Sequence, residues 1–354
     1  MPTYPRMMSP HAIGKYNLAT YDSGFCYGNL PSMKLDWREK QILIEERSGN
    51  DLTDYQVPIT LKRGVNFDFT KAKPDGGDIR FFTEDGEKLP YWIEKWDSEA
   101  GMARVWVKVP SIPANSTVKL YMRYGNPEAV SESNGDAVFD FFDDFEDGIL
   151  DTEKWNTDVF FALWDTTKNY NFDPGELEET GGNLVFDVYV ETTYAEWSLA
   201  SRSSVSNPLG LFVQAEYTDN TGSNGKVPTI AIGSSNSFVG IFHNLEGDFT
   251  CLAKEESDTP TKVKTFSGAK STKWLSAMKI VFPSGKCTYY VEDKGKGVIL
   301  SNWEYSTTHS NPETLTYLIL AILSGGRYGD TSSVKIDYVF VAKYVEPEPL
   351  VRVR

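Results

Sequence analysis

An all-β architecture of two tandem β-sandwich domains is predicted by three properties of this 354-residue chain. Its short segments alternate apolar and polar side chains with a period of two, clusters of turn residues separate them, and no long stretch carries a helical repeat. The length suffices for two hydrophobic cores.

The elements are clearest between residues 37 and 126. Ile79-Arg80-Phe81-Phe82-Thr83 reads as a strand, Asp85-Gly86 as the pair supplying the positive φ angles of a tight hairpin, and residues 88–96 as the returning strand. Residues 102–109 form the next strand. There Val105, Val107 and Val109 point to one side and Arg104, Trp106 and Lys108 to the other, the pattern of a sheet buried on one face. Val118, Leu120 and Met122 repeat it, with Lys119, Tyr121 and Arg123 opposite. Pro110 and Pro113 fall between these strands, where a missing N–H costs no ladder hydrogen bond.

Several of these strings carry a resemblance. Trp37-Arg38-Glu39-Lys40, Leu52-Thr53-Asp54-Tyr55-Gln56-Val57-Pro58, Asp75-Gly76-Gly77-Asp78, Leu89-Pro90-Tyr91-Trp92-Ile93-Glu94, Val105-Trp106-Val107-Lys108-Val109-Pro110 and Tyr124-Gly125-Asn126 together resemble a numbered domain of unknown function, family 2341. The resemblance implies the company of large archaeal and bacterial surface proteins, and a concanavalin-A-like or laminin-G-like jelly roll directly after it. The stretch from Phe141-Phe142-Asp143-Asp144-Phe145-Glu146-Asp147-Gly148 to Trp155 is similar to the opening of such a jelly roll. The expected organisation is therefore an extended N-terminal arm over residues 1–34, a small β-sandwich over 35–138, a jelly roll over 139–345 and an extended tail over 346–354. Within the jelly roll, strands are expected at residues 183–190, 209–217, 227–233, 238–243, 273–282, 286–293, 315–323 and 334–344. The apolar runs at 317–323 and 338–341 are expected at the centre, covered on both faces.

Charge and composition narrow the function. A net charge of −15, from 35 basic and 50 acidic residues, argues against nucleic acid, whose phosphates need a basic footprint. No apolar run reaches the roughly 18 residues of a membrane span, so membrane insertion is not expected. Cys26, Cys251 and Cys287 give at most one disulfide, and buried free thiols are the simpler reading. Residues 1–34 lack the basic start and apolar core of a secretory signal. They are dense in aromatic residues, and Tyr4, Tyr16, Tyr21, Phe25 and Tyr27 make them an assembly arm, ordering on copies of the chain or on a capsid or envelope scaffold.

Catalytic and binding chemistry can be tested on the residues. Jelly-roll hydrolases of the laminarinase type carry Glu-x-Asp-x-x-Glu on one strand, and the nearest string here, Glu246-Gly247-Asp248-Phe249-Thr250-Cys251, ends in cysteine. Asp187 and Glu191 share a strand face, but four residues set their Cα atoms about 13 Å apart. His11, His243 and His309 are scattered and make no zinc site, and no Gly-x-Ser-x-Gly elbow occurs. No cofactor is expected beyond calcium, for which Asp143, Asp144, Glu146 and Asp147 could supply oxygens. A surface glycan would use exposed aromatic rings flanked by hydrogen-bonding groups, which selects Trp164 with Asp165, Tyr194 with Trp197, Trp303, and Arg327, Tyr328 and Asp330 of a Gly-rich loop. The sequence thus points to a non-enzymatic structural or attachment protein, displayed extracellularly on a virion or cell surface. A lectin-like glycan-binding module and a jelly-roll glycoside hydrolase remain open as alternatives.

Overall fold

The computed structural model describes residues 37–157, 177–189, 194–205, 207–219, 226–234, 237–243, 249–255, 261–266, 273–282, 284–293, 305–310, 315–325 and 331–354. The arm residues Tyr4, Tyr16, Tyr21, Phe25 and Tyr27 lie outside the described residues. Residues Trp37–Arg354 form one compact unit. The fold is all-β, two tandem sandwiches of which the second is a jelly roll.

The first sandwich uses β1 (Arg38–Glu45), β2 (Leu52–Lys62), β3 (Arg80–Thr83), β4 (Lys88–Leu89), β5 (Tyr91–Asp97), β6 (Met102–Ile112) and β7 (Thr117–Tyr124). A helical turn, α1 (Gly135–Val138), leads to the second sandwich. Its strands are β8 (Phe141–Asp143), β9 (Trp155–Asn156), β10 (Leu177–Glu179), β11 (Leu184–Tyr189), β12 (Tyr194–Ser201), β13 (Gly210–Asp219), β14 (Lys226–Gly233) and β15 (Ser237–His243). They continue with β16 (Phe249–Glu255), β17 (Thr261–Phe266), β18 (Lys273–Val281), β19 (Lys286–Asp293), β20 (Tyr305–Thr308), β21 (Tyr317–Gly325) and β22 (Thr331–Lys343), and β23 (Leu350–Val353) ends the chain.

The sheets stack as layers. A five-stranded sheet, β23-β1-β7-β3-β4, faces a three-stranded sheet, β2-β6-β5, across a core built on Ile42, Val57, Phe81, Val105 and Val107. An eight-stranded sheet, β10-β11-β22-β13-β18-β19-β20 with β8 beside β22, faces a seven-stranded sheet, β17-β16-β15-β14-β21-β12-β9, across a second core containing Trp155, Trp274, Phe186 and Leu320. The runs at 317–323 and 338–341 fall in β21 and β22, each flanked by two strands. Leu318, Ile319 and Leu320, and Val339, Phe340 and Val341, are fully buried.

A third apolar cluster joins the sandwiches. Trp92 and Trp106 from the three-stranded sheet meet Phe212, Tyr338 and Phe340 from the eight-stranded sheet, with Phe139 and Phe142 between. Phe139 stacks on Phe340 at 4.1 Å and Trp106 on Phe212 at 5.6 Å. Trp106 is therefore buried, which corrects the expectation of a sheet covered on one face. Polar groups at this seam are paired, as burial requires. Glu94 accepts from Trp106 Nε1 at 2.6 Å and from Gln214 Nε2 at 3.0 Å, and Arg104 Nε lies 3.0 Å away as an ion pair not aimed as a hydrogen bond. Gln56 crosses the seam as well, donating to the Val138 carbonyl at 3.0 Å and accepting from Lys343 N at 2.9 Å.

Other local expectations are corrected. Residues 88–96 are not one strand: Pro90 interrupts them, and the chain passes from β4 in the five-stranded sheet to β5 in the three-stranded one. In the Asp85-Gly86 turn only Gly86 takes a positive φ, +85°. The thiol expectation is not among those corrected: Cys287 is buried and not in a disulfide, and Cys251 lies in a different sheet. Residues 346–354 do not leave as a tail. Ile42 pairs with Val353 and Ile44 with Val351, so β23 closes the edge of β1, and Arg352 meets Glu45 at 2.7 Å. An open β1 edge would leave unpaired backbone groups beside an apolar strand.

Trp106→Ala should destabilise the protein by about 3–5 kcal/mol, the usual cost of truncating a buried aromatic ring, as read from urea denaturation. An unchanged midpoint would show that the seam does not hold the sandwiches together. Deleting residues 350–354 should lower stability by about 1–3 kcal/mol and promote aggregation through the uncovered edge, measured by thermal melting and light scattering.

Candidate functional site

Of the residues expected to bind glycan, Tyr194 and Trp197 fall within the described residues. Trp164, Asp165, Trp303, Arg327, Tyr328 and Asp330 lie outside the described residues. Tyr194 and Trp197 are both on β12, in register with Gly325 and Ile322. The string Glu246-Gly247-Asp248 lies outside the described residues, as does Glu191, while Asp187 pairs with Ser333 in the eight-stranded sheet.

The acidic run after β8 is organised around its own backbone. Asp143 is buried, accepts from Trp155 Nε1 at 2.7 Å and from Phe145 N at 3.1 Å, and burial raises its pKa. Burial also raises that of Asp144. Glu146 is directed instead at the turn between β10 and β11, where a Cβ on Gly182 would stand 2.8 Å from its Oε1. Among the described residues no three His, Cys, Asp or Glu side chains are grouped to hold a metal ion.

Asp147 and Glu179 form the exception in this region, a carboxyl pair with divergent titration. Glu179, at the end of β10, is 8% exposed and accepts from Gly148 N at 2.9 Å. Burial, followed by the hydrogen bond to Asp147, pushes its pKa up to about 7. Asp147 is exposed, and hydrogen bonds from Ile149 N and Glu179 hold it below the usual carboxylate range. Joined by a hydrogen bond, the two carboxyls titrate as a pair. The hairpin that carries Glu179 turns on Gly181 and Gly182, at φ +59° and +70°, a two-residue turn with both central φ angles positive. That Gly-Gly pair was the turn signal for a hairpin here, whose first strand, β10, the strand expectations did not include.

On the seven-stranded sheet, the face turned away from the core is floored mostly by small residues, with Ile319 the exception. Gly240, Ala231, Ile319 and Ala200 form one cross-strand row, and Thr229, Ala321 and Ser198 lie in the next. These residues are buried. At the end of the same face Tyr317, paired with Gly233, is 38% exposed, a described aromatic surface that the sequence reading had assigned to the core.

The chain carries the domain of unknown function DUF2341, whose family model matches residues 75–158. The match spans β3 to β9 and so includes Trp92, Trp106, Phe139 and Phe142 of the seam. No curated protein matches. Among solved structures, the chain is similar to one from work on endo-acting O-glycanases that human gut microbiota use in mucin breakdown, at 15% identity and TM-score 0.44 over 58% of this chain and 98% of that one. It is also similar to an endo-β-1,3-glucanase from Pyrococcus furiosus, at 14% identity and TM-score 0.43 over 59% and 95%. A non-specific endo-β-1,3(4)-glucanase of family GH16 matches at 14% identity and TM-score 0.41 over 58% and 90%. The expectation of a non-enzymatic structural or attachment protein is corrected by these matches, which are to glycan-cleaving enzymes. At such identity and TM-score they assign no activity to this chain. No helix among the described residues is long and apolar enough to cross a membrane.

The Asp147–Glu179 pair predicts a pH dependence of stability. A carboxyl whose folded pKa is raised favours folding while protonated, so this contribution is complete below the unfolded value of 4.5 and is lost as pH rises to about 7. Glu179→Gln should remove that part of the pH dependence and leave the variant the more stable above neutrality, in urea midpoints measured across this range. Parallel curves for the two proteins would contradict it.

Proposed function

We propose that the chain is a carbohydrate-active jelly-roll protein of the glycoside hydrolase type, with Asp147 and Glu179 as its reacting carboxyls. The observation that carries this reading is two adjoining carboxyls in unlike settings: Glu179 is buried on Gly148 N, which raises its pKa, while Asp147 is exposed and accepts from Ile149 N, which lowers its own. Such a pair supplies an acid for the glycosidic oxygen and a carboxylate for the anomeric carbon. Glu179, backed by Gly148 N, would protonate the leaving group, and exposed Asp147 would attack as nucleophile. In the free protein the two are hydrogen-bonded to each other, closer than the roughly 5–5.5 Å of a retaining pair. A sugar ring entering between them would replace that bond, as apo catalytic geometry commonly rearranges on binding. An extracellular setting, where polysaccharide is met, fits the reading.

Glycan binding without cleavage is the second reading. Tyr317 favours it, because an exposed ring beside a glycine gives a sugar an apolar platform.

Reducing ends should appear when the protein is incubated with β-1,3-glucan, mixed-linkage β-glucan or mucin O-glycans, the materials named for the similar structures. Glu179→Gln and Asp147→Asn should each lower the rate by about 10²-fold or more. The wild-type rate should fall as pH rises past about 7, where Glu179 loses its proton. Release by both variants at the wild-type rate would refute the carboxyl assignment. Binding that depends on Tyr317, with no release, would leave the second reading standing.

A further inference from the structure

We infer that the first sandwich holds a separate binding site for a small polyanion, in a cavity of about 440 Å³ at the open end of its core. Four cations, Arg38, Lys40, Arg63 and Lys71, line this cavity against a single carboxylate, Asp68. On a chain whose net charge is −15, that is a local inversion of sign, and a concave basic site focuses its field on an incoming anion.

Two features separate the cluster from an ordinary solvated surface. The first is position. On β1, Ile42 and Ile44 face the core, and period-two alternation gives Lys40 and Arg38 the same face. Their partners on β7, Met122 and Tyr124, are core residues. Apolar side chains would extend the core here, yet this end of the strand carries charge. The second feature is pairing. Arg80, Arg104, Lys119, Arg123 and Arg352 each meet a carboxylate within 4.0 Å. Among the described residues no ion pair joins any of the four cavity cations to a carboxylate. Asp68 directs its side chain to Thr70, whose Oγ1 donates at 2.7 Å and whose N donates at 3.1 Å.

The wall of the cavity is preformed. Lys62 N donates to Asn66 Oδ1 at 2.7 Å, Asn66 Nδ2 donates to the Thr60 carbonyl at 3.0 Å, and Arg63 bridges to Phe67. Phe67 is locked among Phe69, Trp96 and Tyr124, with ring centroids 4.8–5.7 Å away. Gly101 lets Arg63 lie close, since a Cβ there would be 2.5 Å from that of Arg63. A site built in advance loses less freedom on binding. The volume suits a small molecule, and guanidinium forks match carboxylate, sulfate or phosphate oxygens. The excess of cations calls for a ligand with two or more such groups, either a free polyanion or the acidic units of an oligosaccharide. This site does not involve the Asp147–Glu179 pair.

Calorimetric titration of the full chain at low salt with citrate, inorganic sulfate, trigalacturonate and a sulfated tetrasaccharide tests the inference. At least one probe should bind the wild type, and the double variant Arg38→Glu/Lys71→Glu should weaken it by roughly tenfold or more. Lys95→Glu, an equal charge change per residue on an exposed strand position outside the cavity, should leave it unchanged. Should the double variant melt early, Lys71→Glu alone, at an exposed residue, must show loss in the same direction. Tighter binding of an oligosaccharide than of citrate and sulfate identifies a glycan source, and equal binding a free polyanion. Binding of no probe by the wild type, or equal affinity in the cavity variants and Lys95→Glu, overturns the site.

Discussion

The aromatic seam between the two sandwiches is the constraint on which the rest of the architecture depends. Stacking the outer face of the three-stranded sheet on the outer face of the eight-stranded sheet leaves both sheets covered on both sides. Every polar group in that contact then needs a protein partner. Glu94 meets the requirement with Trp106, Gln214 and Arg104, and Gln56 meets it by joining Val138 to Lys343. A buried carboxylate of this kind gives orientation more than stability, because its desolvation offsets much of what its partners return.

The seam also divides the molecule into faces with different chemistry. The Asp147–Glu179 pair belongs to the loop after β8 and to the β10–β11 hairpin, both part of the jelly roll. The cationic cavity belongs to the first sandwich, on β1, β7 and the segment after β2. One site buries a carboxyl beside a second one and so raises its pKa, and in the other no ion pair among the described residues joins the cations to a carboxylate. Both depart from the pattern elsewhere on this surface, where Arg123 of β7 meets Glu39 of β1 and Arg352 of β23 meets Glu45 of β1.

Legibility in the sequence followed the range of each interaction. The alternation of Val105, Val107 and Val109 placed β6, and the apolar runs at 317–323 and 338–341 placed the central strands. Trp106 was misread because alternation reports two faces without saying what covers either one. Glu179 was missed because its raised pKa comes from burial and from Asp147, more than thirty residues earlier in the sequence, and neither shows in a local pattern. Arg38 and Lys40 lie two apart on one strand, but only the fold sets Arg63 and Lys71 around the same cavity.

By itself the sequence determined that the chain forms strands, where most of them turn, and that two sandwiches follow one another. Those properties arise from side-chain period and turn stereochemistry, which act over a few residues. Tertiary structure alone decided that β23 returns to pair with β1, that the sandwiches fuse through Trp92 and Trp106, and which charges meet. Contacts between residues as far apart as Glu45 and Arg352 depend on how whole sheets pack, and no local pattern encodes them.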